Sequence, residues 1–248
     1  MKWFYKKKIG THIVYNIFGI KFKIRLKDYC LNSLLNNNQL ILKDNNIEKR
    51  LSSYPGININ IQGKNNKIII HKDLIAKDIN ITIKNDNCVI EIEKSYHFNN
   101  VNIVCVNGNG QKVYIGENTS FAPFSRCQIT LDDSNKLKIG KNCMFSNGID
   151  IWCTDGHTIL DLQGNIINRQ KNELFIGNHC WIGENVKIAK NAVILDNSIV
   201  GMGSVVTKVF KDTNVIIAGN PAQIVKTGIN WDSHSTFEYA KTLAGVGG

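Results

Sequence analysis

The chain has 248 residues, 43% hydrophobic and 20% charged, with only three prolines. This excludes a disordered chain and suits one large domain, with or without a small appendage. The formal charge of +10 favours anionic partners (a phosphorylated coenzyme, an acidic polysaccharide, a membrane surface) without specifying a fold. It is not accompanied by any motif of a nucleic-acid-binding module, so no nucleic acid is expected.

In chain order, the first apolar stretch, Ile13 to Leu26, is interrupted by Lys21, Lys23 and Arg25. It is too short and too charged to span a bilayer, and no signal peptide is visible, so a cytoplasmic location is expected. Lys6, Lys7 and Lys8 beside Trp3, Phe4 and Tyr5 offer a point of peripheral contact with the inner face of a membrane. A solvated edge is the commoner use of such a cluster. Residues 1–50 carry no repeat and are expected to cap the repeating domain.

From residue 51 to 226 the chain reads as one repeating domain. Between Ile176 and Val206 an aliphatic residue recurs at every sixth position: Ile176, Ile182, Ile188, Ile194, Val200 and Val206. The same period links Ile139, Phe145 and Ile151, and again Ile115 and Phe121. A helix repeats at about 3.6 residues and a lone strand at about 2, so neither produces this period. Six residues suit one flat side of a triangular coil: a short strand, an inward aliphatic side chain, then a corner. Gly177, Gly183 and Gly201, with Asn185, Asn191 and Asn197, fall where the corners need φ > 0. The all-β solenoid this predicts stacks its coils about 4.8 Å apart.

Upstream, Lys67–Ile70, Val89–Ile92, Lys112–Ile115, Lys136–Ile139 and Glu173–Ile176 look like one side of successive coils. Their wider spacing predicts loops bulging from corners. The largest jump leaves residues 152–173 as a long loop, and loops of that length in a compact repeat are usually functional. Residues 227–248 leave the repeat as a C-terminal extension, in which Trp231 and Phe237 anchor a short helix. Seven cysteines without a CxxC pair read as buried free thiols.

The hexads, the loop bearing Asp155-Gly156-His157, the segment Cys180-Trp181-Ile182-Gly183, and the closing Gly201–Lys208 and Ala218–Ala222 resemble the hexapeptide-repeat acetyltransferases. Within that family the chain is most similar to bacterial capsular polysialic acid O-acetyltransferases. The resemblance implies a left-handed parallel β-helix, usually a homotrimer with active sites between neighbouring subunits. It also implies acetyl-CoA as co-substrate and a sugar or anionic polysaccharide as acceptor. His157 is then the expected general base, withdrawing the proton as a sugar hydroxyl attacks the thioester carbonyl, a step typically contributing about 10²- to 10⁴-fold. Asp155, or a group from elsewhere, would orient its ring.

Trp181, read alone, is a corner aromatic. By resemblance it stands beside the thioester, its indole N–H donating to the developing oxyanion or holding the acceptor. Thr207, Lys208 and Lys226 match coenzyme-contact positions, the lysines pairing with phosphates. Met202, Gly203 and Ser204 line the pantetheine groove, and Gly219 and Pro221 bound it. Some left-handed β-helices resemble γ-type carbonic anhydrases, which hold zinc with three histidines. His157 and His179 lie in range, but no third histidine of the repeat follows His97, so no metal is expected. The competing readings are another sugar acetyltransferase, including one acting on a nucleotide-linked amino sugar, and a non-catalytic β-helix used for binding.

Overall fold

The computed structural model describes residues 4–9, 12–17, 20–25, 36–171 and 173–243. Residues 36–227 wind into a three-sided parallel β-helix, each side a ladder of short strands. Face I runs from Gln39–Asp44 through Lys67–His71, Val89–Ile92, Lys112–Ile115, Lys136–Ile139 and Leu174–Ile176 to Val193–Ile194. Face II begins at Ala76–Lys77 and includes Ser120–Phe121, Met144–Phe145 and Trp181–Ile182 before ending on Val215–Gly219 and Ala222–Thr227. Face III runs from Ile57–Ile61 through Cys127–Leu131, Asp150–Trp152 and Lys187–Ala189 to Val205–Val206. The five upstream pieces expected to share one side do so, in register: Ile70 pairs Ile92, which pairs Ile115, then Ile139, then Ile176.

Every sixth residue points inward because each side contributes its central side chain to a dry axis. Ile176, Ile182, Ile194, Val200 and Val206 are fully buried, and Ile188 is 1% exposed. On face II the column is aromatic: the rings of Phe98 and Phe121 lie 4.9 Å apart edge-on, and those of Phe121 and Phe145 stack at 4.6 Å. The corners explain the Asn content. Of the sixteen described non-glycine residues with positive φ, twelve are Asn, whose short polar side chain tolerates the left-handed region. Gly183 has a different reason. A Cβ there would come within 2.7 Å of the Met202 backbone nitrogen one coil above.

Two expectations change. The coil begins at Gln39 rather than at residue 51, because Gln39–Asp44 already pairs in parallel with Lys67–His71. Its hairpin partner, Ile47–Leu51, runs antiparallel and closes that end. Phe4–Ile9, His12–Ile17 and Ile20–Arg25 form a three-stranded antiparallel sheet. The wider upstream spacing is also not all loop. Face III strands there are five residues long, as in Ile57–Ile61, against three in Asp150–Trp152. Alternation along them sends Ile57, Ile59 and Ile61 all inward, so these coils enclose more core per turn.

Six cysteines are buried free thiols, and Cys30 lies outside the described residues. Burial pushes the Cys153 thiol up to about 12. Trp3, from the basic N-terminal cluster, also lies outside them. A helix, α1 (Thr236–Leu243), ends the described chain with no buried residue. Among the described residues no helix is long and apolar enough to cross a membrane.

Candidate active site

Cys153 is the last inward residue of face III before the long loop. The chain leaves the coil at Thr154, whose hydroxyl donates to Asp132 Oδ2 at 3.2 Å and accepts from the Gly156 N–H at 2.9 Å. Beyond it the loop doubles back on itself: Leu160 bridges Ile166, and Asp161 Oδ1 caps the turn by accepting from the Gln163 and Asn165 N–H groups. The hairpin is apolar and exposed, with Ile159, Leu160, Ile167 and the tip residue Leu162 all turned to the surface.

Asn168 braces this loop. Its Nδ2 donates to the His157 carbonyl at 2.8 Å and to Asp155 Oδ2 at 2.7 Å, while its Oδ1 accepts from the Ile159 N–H at 3.0 Å. Lys190, on the next coil, pairs with Asp155 and donates to the Asn168 carbonyl. Burial raises the Asp155 carboxyl, but hydrogen bonds from Lys190 and Asn168 outweigh it and hold the group below its ordinary value. Asp155 therefore secures the backbone around His157 and is not a partner of its ring. The exposed His157 imidazole makes no hydrogen bond among the described residues. It lines a cleft of about 510 Å³ with Asn107, Asp133, Arg169 and Lys190. Asn168, Arg169 and Lys190 carry no periodic signal in the sequence, since only folding brings them together.

Trp181 opens its face II strand and is 38% exposed. It stands at a different corner from His157, the one between faces I and II, and Met144 is its register partner. Trp231, from the C-terminal extension, lies 6.0 Å away ring to ring. Trp231 is fixed: its Nε1 donates to the His179 carbonyl at 2.8 Å and its ring stacks on the His179 imidazole at 4.4 Å. A cleft of about 480 Å³ opens beside it, and none of its lining residues also lines the His157 cleft.

The residues expected to meet a coenzyme lie on the last coils. Met202 and Gly203 are exposed at the corner between faces II and III. Ser204 is not available to a groove: it is 1% exposed, donating to the Gly201 carbonyl at 2.6 Å and accepting from the Gly219 N–H at 3.1 Å. Its hydroxyl closes the corner, a role the hexad pattern does not distinguish from an outward one. Thr207 and Lys208 are exposed, and Lys208 reaches Gln223 and the Phe210 ring. Lys226 lies on the closing strand after the turn at Gly219 and Pro221. Lys211, missed in the sequence, joins Lys208 along a cleft of about 400 Å³. Among the described residues no three His, Cys, Asp or Glu side chains converge as a metal site.

This architecture, a parallel β-helix of six-residue sides with one long histidine-bearing loop, defines a class of protein whose known members match this chain. A family described as bacterial transferase hexapeptide (six repeats) matches residues 174–208. The polysialic acid O-acetyltransferase of Neisseria meningitidis is 35% identical over 50% of this chain and 55% of its own length. The chain thus spans little more than half of that relative. An uncharacterized 24.8 kDa protein in the cps region of Klebsiella pneumoniae is 34% identical over 60% of this chain and 72% of its own. The crystal structure of the polySia-specific acetyltransferase NeuO superposes with a TM-score of 0.64 at 25% identity, covering 84% of this chain and 94% of that one. The chain belongs to the hexapeptide-repeat transferase family, and its fold is the left-handed parallel β-helix.

Proposed function

We propose that the protein is an acetyl-CoA-dependent O-acetyltransferase acting on hydroxyl groups of sialic acid residues in a capsular polysaccharide. The observation that carries this reading is the His157 imidazole, unengaged, on a loop whose backbone is locked by Asn168, Asp155 and Lys190. A general base needs both freedom at its nitrogen and a fixed position. The likeness to two proteins named for polysialic acid acetylation supports the acceptor. Met202, Gly203, Thr207 and Lys208, with Lys226 and the turn at Gly219 and Pro221, are the residues proposed to hold the coenzyme, the lysines countering its phosphates.

His157 and Trp181 occupy different corners of one chain, and the histidine loop presents bare apolar side chains. An exposed apolar hairpin of this kind marks an interaction surface. A homotrimer in which the loop of one subunit reaches the Trp181 corner of the next satisfies both features. Trp181 then donates its indole N–H to the oxyanion as His157 takes the hydroxyl proton, and the thiolate of CoA leaves as the ester forms.

The test is His157→Ala with acetyl-CoA and a sialic acid polymer, the product read by mass spectrometry. Turnover is expected to fall at least about a hundredfold while coenzyme binding stays as in the wild type. Full turnover by the variant removes His157 as the base. A wild type that acetylates other sugars but no sialic acid removes the acceptor.

A further inference from the structure

The cleft beside Trp231 has no part in the transfer chemistry of His157 and Trp181. Its floor is the column of left-handed corners, where Asn118 and Asn142 sit one coil apart and their carboxamides meet at 3.4 Å. Tyr96 and His97 line it with Trp231, Tyr96 being 61% exposed. Trp231 belongs to the extension beyond the last coil, yet its N–H is engaged and one ring face is covered by His179. An aromatic ring held in place in advance loses little freedom when a ligand docks on it.

The lining selects a ligand class. Carboxamides, an imidazole and the Ser120 hydroxyl both donate and accept, which matches sugar hydroxyls, while aromatic rings suit the apolar faces of sugar rings. No lysine or arginine lines the cleft, so coenzyme phosphates find no counter-charge there. Its one carboxylate, Asp232, lies 2.6 Å from the His234 ring nitrogen. Lys94 and Lys141, chain neighbours of lining residues Ser95 and Asn142, both reach Glu117, at 2.8 and 3.7 Å. Both lysines are thus already engaged by a carboxylate, and the cleft recognises a sugar through its hydroxyls and ring faces rather than through charge.

We infer that this cleft is a second saccharide subsite, holding a sugar unit next to the one placed at Trp181. Met144 links the two, since it lines the cleft and is the register partner of Trp181. The inference deepens the proposed function and rests on it for the position of the reacting unit. It also gives the C-terminal extension and the coil at Ser95–His97 a task in acceptor binding.

Titration calorimetry of a six-unit sialic acid oligomer, without acetyl-CoA, tests the subsite apart from catalysis. Tyr96→Ala removes an exposed ring that the fold does not use, and Trp231→Phe keeps a ring on His179. Each is expected to weaken binding at least fivefold and to raise KM for the oligomer by a similar factor, leaving KM for acetyl-CoA unmoved. Wild-type affinity in both variants, or no binding by the wild type, overturns the subsite. Normal transfer to the oligomer with KM unmoved in both variants overturns it while the proposed activity stands. Binding that depends on Tyr96 with no transfer by the wild type keeps the subsite and removes the activity.

Discussion

Asn168 shows how one uncharged side chain fixes the histidine-bearing loop. Its carboxamide spans from the Ile159 N–H to the His157 carbonyl and Asp155, so both flanks of the histidine are tied to the strand returning from the hairpin. The Asp155–Lys190 pair then ties that unit to the coil, with Lys190 only 15% exposed. Because the folded-state pKa of Asp155 is lowered, its contribution is fully present above the unfolded value of about 3.9 and is lost as pH falls through the folded one. Asp155→Asn resembles the protonated state and leaves the Lys190 charge unpaired. Denaturant unfolding across pH should therefore show the variant less stable than the wild type at pH 7, the two converging as pH falls through the lowered folded-state pKa of Asp155. At pH 7 its kcat is expected to fall about tenfold or more, since His157, as the proposed base, loses alignment on a loosened loop, with KM for acetyl-CoA unchanged. A gap in stability that persists unchanged to low pH would mean that the carboxylate charge is not what holds the loop.

Within a single coil the corners set the geometry and the inward columns supply the free energy. Phe121 stands between Phe98 and Phe145 with rings 4.9 and 4.6 Å away. Phe121→Ala should cost about 3–5 kcal/mol, read as a lowered urea midpoint. A cost below about 1 kcal/mol would mean the column collapses around the gap. These columns were the part most legible in the sequence, because a coil of three six-residue sides returns each aliphatic to the same face one coil on, as from Ile176 to Ile194. The first coil was not legible. Gln39–Asp44 enters it through an antiparallel hairpin that leaves no hexad. The loop brace was also hidden: Asp155 and Asn168 are distant in sequence, Lys190 is further still, and no spacing rule relates them. Ser204 shows the opposite error, where a familiar position proved to be a buried corner.

At the scale of the molecule, the question is whether one chain holds a complete site. His157 follows a face III strand, whereas Trp181 opens a face II strand beside Trp231. The loop between them ends in Leu162, fully exposed, with Ile159, Leu160 and Ile167 at least half exposed around it. A monomer gains nothing from presenting these residues to water, whereas in the proposed homotrimer a neighbour that covers them gains apolar burial and receives the histidine. This arrangement makes a prediction that no single-chain site can satisfy. His157→Ala and Trp181→Ala subunits, each inactive alone, are unfolded together and reassembled in equal amounts. In a closed ring where each site takes His157 from one subunit and Trp181 from the next, about one quarter of sites receive both intact residues. Activity should recover to about that fraction of wild type, with native mass measurement confirming mixed rings. If mixed rings form and remain inactive, His157 and Trp181 serve the same subunit's site, and the apolar hairpin binds its neighbour for stability alone.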